Sequence, residues 1–289
     1  MENTSLKRWL KIWNELKYIF KLSRPRFWLY LAGPALVGTV YASSTPSELL
    51  TLKNLLVFLY FLIPANVMLY GINDFFDRDV DEENPKKEDK EASYRSSRLV
   101  DGLIGLSTAL SIPVALMLPE RTYPLFVVFL LLSYQYSAPP LRFKTTPYLD
   151  SISNGLYAMP FLITYSFISG GLPSYWVIAG AWLWTMAMHT FSAIPDIEPD
   201  RKAEITTTAT YLGRIGAYGY VTAVWMLSSL AMGIYDLKLG LLFLIYPILS
   251  TGIFFLDLDD SRAYWWFPFI NAFTGMVITM YGLWVLFHA

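Results

Sequence analysis

Residues 151–195 read SISNGLYAMPFLITYSFISGGLPSYWVIAGAWLWTMAMHTFSAIP, forty-five residues without an Asp, Glu, Lys or Arg. A helix needs about 20 apolar residues to cross a hydrocarbon layer of about 30 Å, so this run is too long for one crossing and suits two. Gly170-Gly171-Leu172-Pro173 supplies the turn between them. The run lacks the strict alternation of barrel strands. Backbone in lipid must satisfy its own hydrogen bonds, which makes both crossings helices.

The rest of the chain repeats the pattern. Charge-free stretches of at least 18 residues also run 27–47, 54–73, 102–119, 122–141, 215–235, 239–256 and 263–289. The expectation is therefore an all-α integral membrane protein, nine transmembrane helices in one bundle around a central cavity. The spans fall at 27–47, 54–73, 102–119, 122–141, 151–169, 174–194, 215–235, 239–256 and 263–288, within a single domain 1–289. Composition agrees, with 55% hydrophobic and 16% charged residues, against about 25% charged in a soluble domain. Without cysteine there is no disulfide, thiolate metal site or thiol nucleophile. A net charge of −1 gives no basic field for nucleic acid. The first run starts at Phe27 behind a basic segment, with no small-residue cleavage site, and is not expected to be a cleaved leader.

Nine spans divide the 22 Lys and Arg residues nineteen to three, with only Lys53, Arg121 and Lys238 on the poorer side. The positive-inside rule makes the richer side, which carries the N-terminus, cytoplasmic. Within the segment 1–26, Leu6, Trp9, Leu10, Trp13, Leu16, Ile19 and Phe20 recur at helical spacing opposite Lys7, Lys11, Lys17 and Lys21. That is the pattern of an amphipathic helix lying in the bilayer interface.

Twenty of the 23 acids fall on the same side, and two groups of them stand out. In Asn73-Asp74-Phe75-Phe76-Asp77-Arg78-Asp79-Val80-Asp81, residues 74, 77 and 81 share one helical face. In Pro195-Asp196-Ile197-Glu198-Pro199-Asp200-Arg201-Lys202, residues 196 and 200 are one turn apart if the helix continues, and the prolines predict a break just before Asp196. Glu82, Glu83, Glu88, Asp89 and Glu91 read as hydrated surface. The two clusters abut helix ends on one side, and hard oxygen donors of this kind suit Mg²⁺ shared with phosphate oxygens.

Asn73-x-x-x-Asp77-x-x-x-Asp81 and Asp196-x-x-x-Asp200, four helices apart, resemble the two aspartate-rich motifs of the UbiA superfamily of intramembrane prenyltransferases. Tyr136-Ser137-Ala138-Pro139-Pro140-Leu141-Arg142-Phe143-Lys144 is similar to that family's Tyr-Ser…Leu-Lys stretch after the fourth helix. Leu69-Tyr70-Gly71-Ile72-Asn73-Asp74 through Glu83-Asn84-Pro85-Lys86-Lys87 resembles the lycopene elongase branch, which makes C50 carotenoids. So does Ala193-Ile194-Pro195-Asp196-Ile197-Glu198-Pro199-Asp200 with Thr206-Thr207-Thr208-Ala209-Thr210. Glu204 departs from that branch, which has glycine after Ala203.

The resemblance implies an allylic prenyl diphosphate donor (dimethylallyl diphosphate), a lipophilic acceptor in the bilayer (lycopene or its C45 product), and Mg²⁺. On that basis Asn73, Asp77, Asp81, Asp196 and Asp200 hold metal, with Asp74 a further ligand, and Lys144 and Lys202 contact the diphosphate. Arg142, Arg78 and Arg26 are lesser contacts, and Tyr136 and Ser137 enter through their motif. A metal acts on such a leaving group as a Lewis acid, and aromatic faces stabilise a carbocation. His189 reads either as a terminal base or as a neutral histidine bonded between helices, the second being preferred. Two other functions stay open: a UbiA-type enzyme with a quinone-precursor or other aromatic acceptor, and a secondary transporter coupling ions through the aspartates.

Overall fold

A computed structural model describes residues 4–81 and 98–288, with side chains described for 9–77 and 98–288. The motif stretch 83–87 and the acidic run around it lie outside the described residues. Every regular element among those residues is helical.

Six helices are long and apolar enough to cross a membrane: Leu52–Asp77, Arg98–Met117, Tyr175–Lys202, Thr208–Tyr235, Leu237–Phe255 and Asp260–His288. The runs 27–47, 122–141 and 151–169 hold shorter helices, Leu29–Ala42, Tyr123–Gln135 and Met159–Ser169. Their shortness has local causes. Pro139-Pro140 supplies no N–H to continue the Tyr123–Gln135 helix. Met159–Ser169 is preceded by a 3₁₀ segment, Ser153–Tyr157, and at 11 residues spans only about 17 Å by itself. The expected amphipathic segment forms the helix Thr4–Leu22, on which Trp9, Trp13 and Phe20 are exposed.

Where a long run breaks, side chains satisfy the freed backbone. The run 54–73 is interrupted at Ile63-Pro64, giving the helices Leu52–Leu62 and Pro64–Asp81. There the fully buried Asn66 donates from Nδ2 to the carbonyls of Phe61 (2.9 Å) and Leu62 (3.1 Å). Such a join is tolerated in an apolar interior because it is satisfied. Thr207 opens the Thr208–Tyr235 helix with a capping box shared with Thr210.

Two cores form on either side of the turn at Gly170, whose φ of 81° suits glycine. The first gathers Leu31, Phe61, Met68, Phe126, Phe129 and Ile163. The second is an aromatic knot in which the Phe191 and Phe267 rings lie 4.3 Å apart and Trp225 stacks on Phe267 at 5.7 Å. The first core depends on close backbone approach at Gly38. A Cβ there would lie 2.1 Å from Thr164 Oγ1 and 2.5 Å from the Phe161 carbonyl oxygen. That proximity lets Thr164 Oγ1 donate to the Ala35 carbonyl at 2.9 Å across the helix pair.

Gly38→Ala is therefore expected to overpack this crossing and destabilise the protein by about 1–3 kcal/mol. The check is the thermal unfolding midpoint of the purified protein in detergent, which should fall.

Candidate active site

The site begins where the Pro64–Asp81 helix meets the loop 136–146. Asn73 and Asp77 are one turn apart on an unbroken helix and so share a face. After Pro139-Pro140, joined by a cis peptide, the chain doubles back: Arg142 takes a left-handed φ of 41°, and the Lys144 N–H donates to the Tyr136 carbonyl at 3.1 Å. This return carries Lys144 to the helix. Its ammonium donates to Asn73 Oδ1 at 3.1 Å and binds both carboxylate oxygens of Asp77. Arg142 Nη2 donates to Asp77 Oδ1 at 3.1 Å, and Ser137 Oγ to Asn73 Oδ1 at 2.7 Å. The Lys144 and Asp77 side chains are only 14% and 15% exposed, so their attraction is weakly screened. Two cations face one carboxylate here.

The second aspartate stretch is a joint. The Tyr175–Ala193 helix gives way to a 3₁₀ turn, Ile194–Asp196, and then to the short helix Ile197–Lys202. Pro195 and Pro199 each fall in a first turn, where proline is tolerated, and they place the break the sequence predicts. Asp196 is exposed at the joint and Asp200 half-buried beyond it, with Lys202 exposed at the far end. Just after it, Glu204 has a left-handed φ of 55°. The backbone therefore keeps the conformation that glycine would adopt without cost.

The remaining expected residues divide. The side chains of Asp81 and Arg78 lie outside those described. Asp74, expected as a further metal ligand, is 2% exposed and accepts from Arg24 Nη2 at 3.2 Å and from Asn73 Nδ2 at 3.3 Å. Arg24 holds it in an ion pair beside Asn73. Arg26, expected at the substrate, instead lies over the Trp265 ring at 3.6 Å and donates to the Trp265 carbonyl. Arg24 takes the nearer place: it lines the cavity and sits 4.8 Å over the Tyr70 ring. The sequence conceals it among the basic residues of the N-terminal segment.

Below the mouth lies a cavity of about 550 Å³, reaching inward from Arg24 and Asn73. Tyr30, Tyr70, Tyr136, Tyr157, Trp184 and Tyr246 line it, so aromatic faces surround whatever enters. Leu29, Leu36, Met276 and Met280 also line it and are exposed, so it opens on the flank between the Leu29–Ala42 and Asp260–His288 helices. One buried acid, unsignalled by any motif, lies behind the cavity-lining His189. Asp150 accepts the Thr208 N–H at 2.9 Å and the Thr208 hydroxyl, and its Oδ2 is 3.6 Å from His189 Nε2. Burial would raise this carboxyl, but His189 and the Thr208 hydrogen bonds outweigh it and hold it below the usual carboxylate range.

The donors suit magnesium chemically, since Asn73, Asp77, Asp196 and Asp200 all offer hard oxygens. Asn73 Oδ1 and Asp77 already converge on one cation, the Lys144 ammonium. Among the described residues no three acidic or histidine side chains gather as a closed metal cage. An open site that shares its metal with a substrate phosphate needs none.

Residues 31–284 match the UbiA prenyltransferase family, and the chain belongs to it; it is a prenyltransferase. It is 52% identical to the lycopene elongase/hydratase of Halobacterium salinarum, over 94% of this chain and 99% of that protein. Against the lycopene elongase/hydratase of Haloferax volcanii the identity is 50%, over 94% and 91%. The resemblance to the lycopene elongase branch thus extends along nearly the whole chain. The fold superposes with a TM-score of 0.74 on a UbiA homolog from Archaeoglobus fulgidus, solved bound to GPP and Mg²⁺, at 23% identity over 93% of this chain and 99% of that one.

Two outcomes follow from this geometry. Arg24→Ala removes a cation that faces the buried Asp74 carboxylate and should cost about 3 kcal/mol; pairing it with Asp74→Asn should recover part of the lost thermal midpoint. Glu204→Gly should relieve the left-handed strain and raise that midpoint, by a stabilisation of about 1 kcal/mol.

Proposed function

We propose that this protein moves an allylic prenyl group, dimethylallyl, from its diphosphate to the end of lycopene or of the C45 product, with water closing the reaction. The observation that carries the reading is the aromatic cavity, opening on the bundle's flank and capped by cations and oxygen donors. Half identity to lycopene elongase/hydratases along nearly the full chain supports this acceptor over an aromatic one.

In this reading Lys144 and Arg142 hold and neutralise the diphosphate at the mouth, with Lys202 contributing from the second joint. Asn73, Asp77, Asp81, Asp196 and Asp200 hold the metal. Magnesium bound there would supply Lewis-acid stabilisation of the leaving diphosphate. Ser137 fixes the Asn73 carboxamide, presenting Oδ1 with its partners already arranged, the kind of preorganisation that dominates electrostatic catalysis. Tyr70, Tyr136 and Tyr157 surround the allylic carbon with π faces and exclude bulk water. The acceptor's terminal double bond attacks that carbon as its bond to diphosphate breaks.

The topology that serves this chemistry has nine spans in one domain, 1–289, with the N-terminus and both aspartate stretches cytoplasmic. The three shorter helices complete the bundle, and Thr4–Leu22 lies in the cytoplasmic interface with Trp9, Trp13 and Phe20 in the lipid headgroup region.

Asp77→Ala and Asp200→Ala are each expected to abolish prenyl transfer while the protein still folds and inserts. Retained activity in either would remove that residue from the metal site. Expression in a lycopene-producing host should convert C40 pigment into C45 and C50 products, read by chromatography and mass spectrometry. Pigments that stay C40 while an aromatic acid is prenylated would reassign the acceptor.

A further inference from the structure

Asp150 and His189 form a pair that the proposed transfer of the prenyl group does not use. The Asp150 side chain is wholly buried, a costly place for a carboxylate unless its lone pairs are occupied. Thr208 occupies two of them, through its N–H and its hydroxyl, and so fixes the orientation of the carboxylate. Its other neighbour is an imidazole: Nε2 of His189 lies 3.6 Å from Oδ2, within ion-pair reach though longer than a hydrogen bond. A carboxylate beside Nε2 favours the tautomer that keeps the proton there, which leaves the lone pair on Nδ1.

The position of the ring suits a late step. His189 lines the cavity, with its ring set edge-on to Tyr136 at 5.9 Å. It precedes Asp196 by seven residues, four of helix and three of 3₁₀ turn, which places it about 10 Å further in. A diphosphate held at the aspartates would place its first prenyl carbon toward this depth.

We propose that His189 is the base that completes the reaction and that Asp150 is its positioning residue. This rests on the prenyl transfer to a polyene end proposed above. Attack by the acceptor's terminal double bond makes a carbon–carbon bond, releases diphosphate and leaves a tertiary cation on the acceptor. A water molecule then donates a lone pair to that carbon, forming the carbon–oxygen bond, and its surplus proton passes to His189 Nδ1. The product is an elongated tertiary alcohol, and the base is regenerated when the imidazolium returns its proton to solvent. Without the base the same cation loses a proton from a neighbouring carbon to any weak acceptor, giving an elongated alkene.

The test compares wild type, His189→Gln and Asp150→Asn, each full-length in lipid nanodiscs with dimethylallyl diphosphate, Mg²⁺ and lycopene. Mass spectrometry separates alcohol from alkene, and diphosphate release reports carbon–carbon bond formation. The wild type should give the alcohol. In His189→Gln the ratio of alcohol to alkene should fall about 100-fold, the scale of a lost general base, while diphosphate release changes little. Asp150→Asn should shift the ratio in the same direction, and imidazole added to His189→Gly should restore the alcohol. Damage to packing alone would lower both products together. The two substitutions sit on different elements, so either folded variant decides the matter. An unchanged ratio in a folded variant overturns the assignment, as does a wild type that yields only alkene. A wild type that releases no diphosphate with lycopene overturns the acceptor reading itself, and this assignment with it.

Discussion

One ammonium group organises the mouth of the cavity. Lys144 reaches Asn73 and Asp77 only because Pro139-Pro140 ends a helix and the chain turns back through a left-handed Arg142. Both partners are poorly exposed, so the attraction is several times what the same charges would gain in water. The contact fastens the loop 136–146 onto the Pro64–Asp81 helix and presents Asn73 Oδ1 and Asp77 as a converged pair of oxygens. In the proposed reaction an incoming diphosphate competes for the same ammonium, which frees those oxygens for the metal. Site assembly and substrate capture then become one exchange of partners.

Around that contact the bundle is divided by need. The first core is built on close helix approach, as at Gly38 against Thr164, and the second on stacked aromatic rings about Phe267. The cavity lies between them, walled by residues of both halves, including Leu69 and Tyr157 from one and Trp184 and Tyr246 from the other. Packing into an apolar solvent gains little from burial alone, so van der Waals fit and interhelical hydrogen bonds carry the association.

Much of this was legible in the sequence, because two strong physical constraints leave direct marks there. Charge is expelled from lipid-exposed helix, so charge-free runs locate the helical segments. Oxygen donors spaced by helical turns mark the aspartate stretches, and Pro195 and Pro199 announced the joint at Asp196. What escaped was set by tertiary contact. Asp150 looks from sequence like the charge that merely precedes the run 151–195; only the fold brings Thr208 and His189 to it. Arg24 is one basic residue among several until the chain folds it over Tyr70. Asp74 has the right spacing for a ligand, yet its neighbour across the fold is a guanidinium. The break at Ile63-Pro64 lies inside an unbroken apolar run, and its remedy, Asn66, reads only as a stray polar residue.

The flank opening bounded by Leu29, Leu36, Met276 and Met280 has a consequence for how a long polyene is handled. In the proposed reaction the acceptor is a rigid conjugated chain of forty carbons, and an opening on the flank lets one end be housed while the remainder stays outside among lipid tails. Recognition is then terminal, blind to the middle of the molecule and to what its far end carries. If both ends of a symmetric acceptor are elongated, as proposed, the two ends cannot be threaded together, and the second transfer would require withdrawal, reversal and re-insertion. The membrane, as the reservoir for that reversal, would then be a working part of the proposed catalytic cycle.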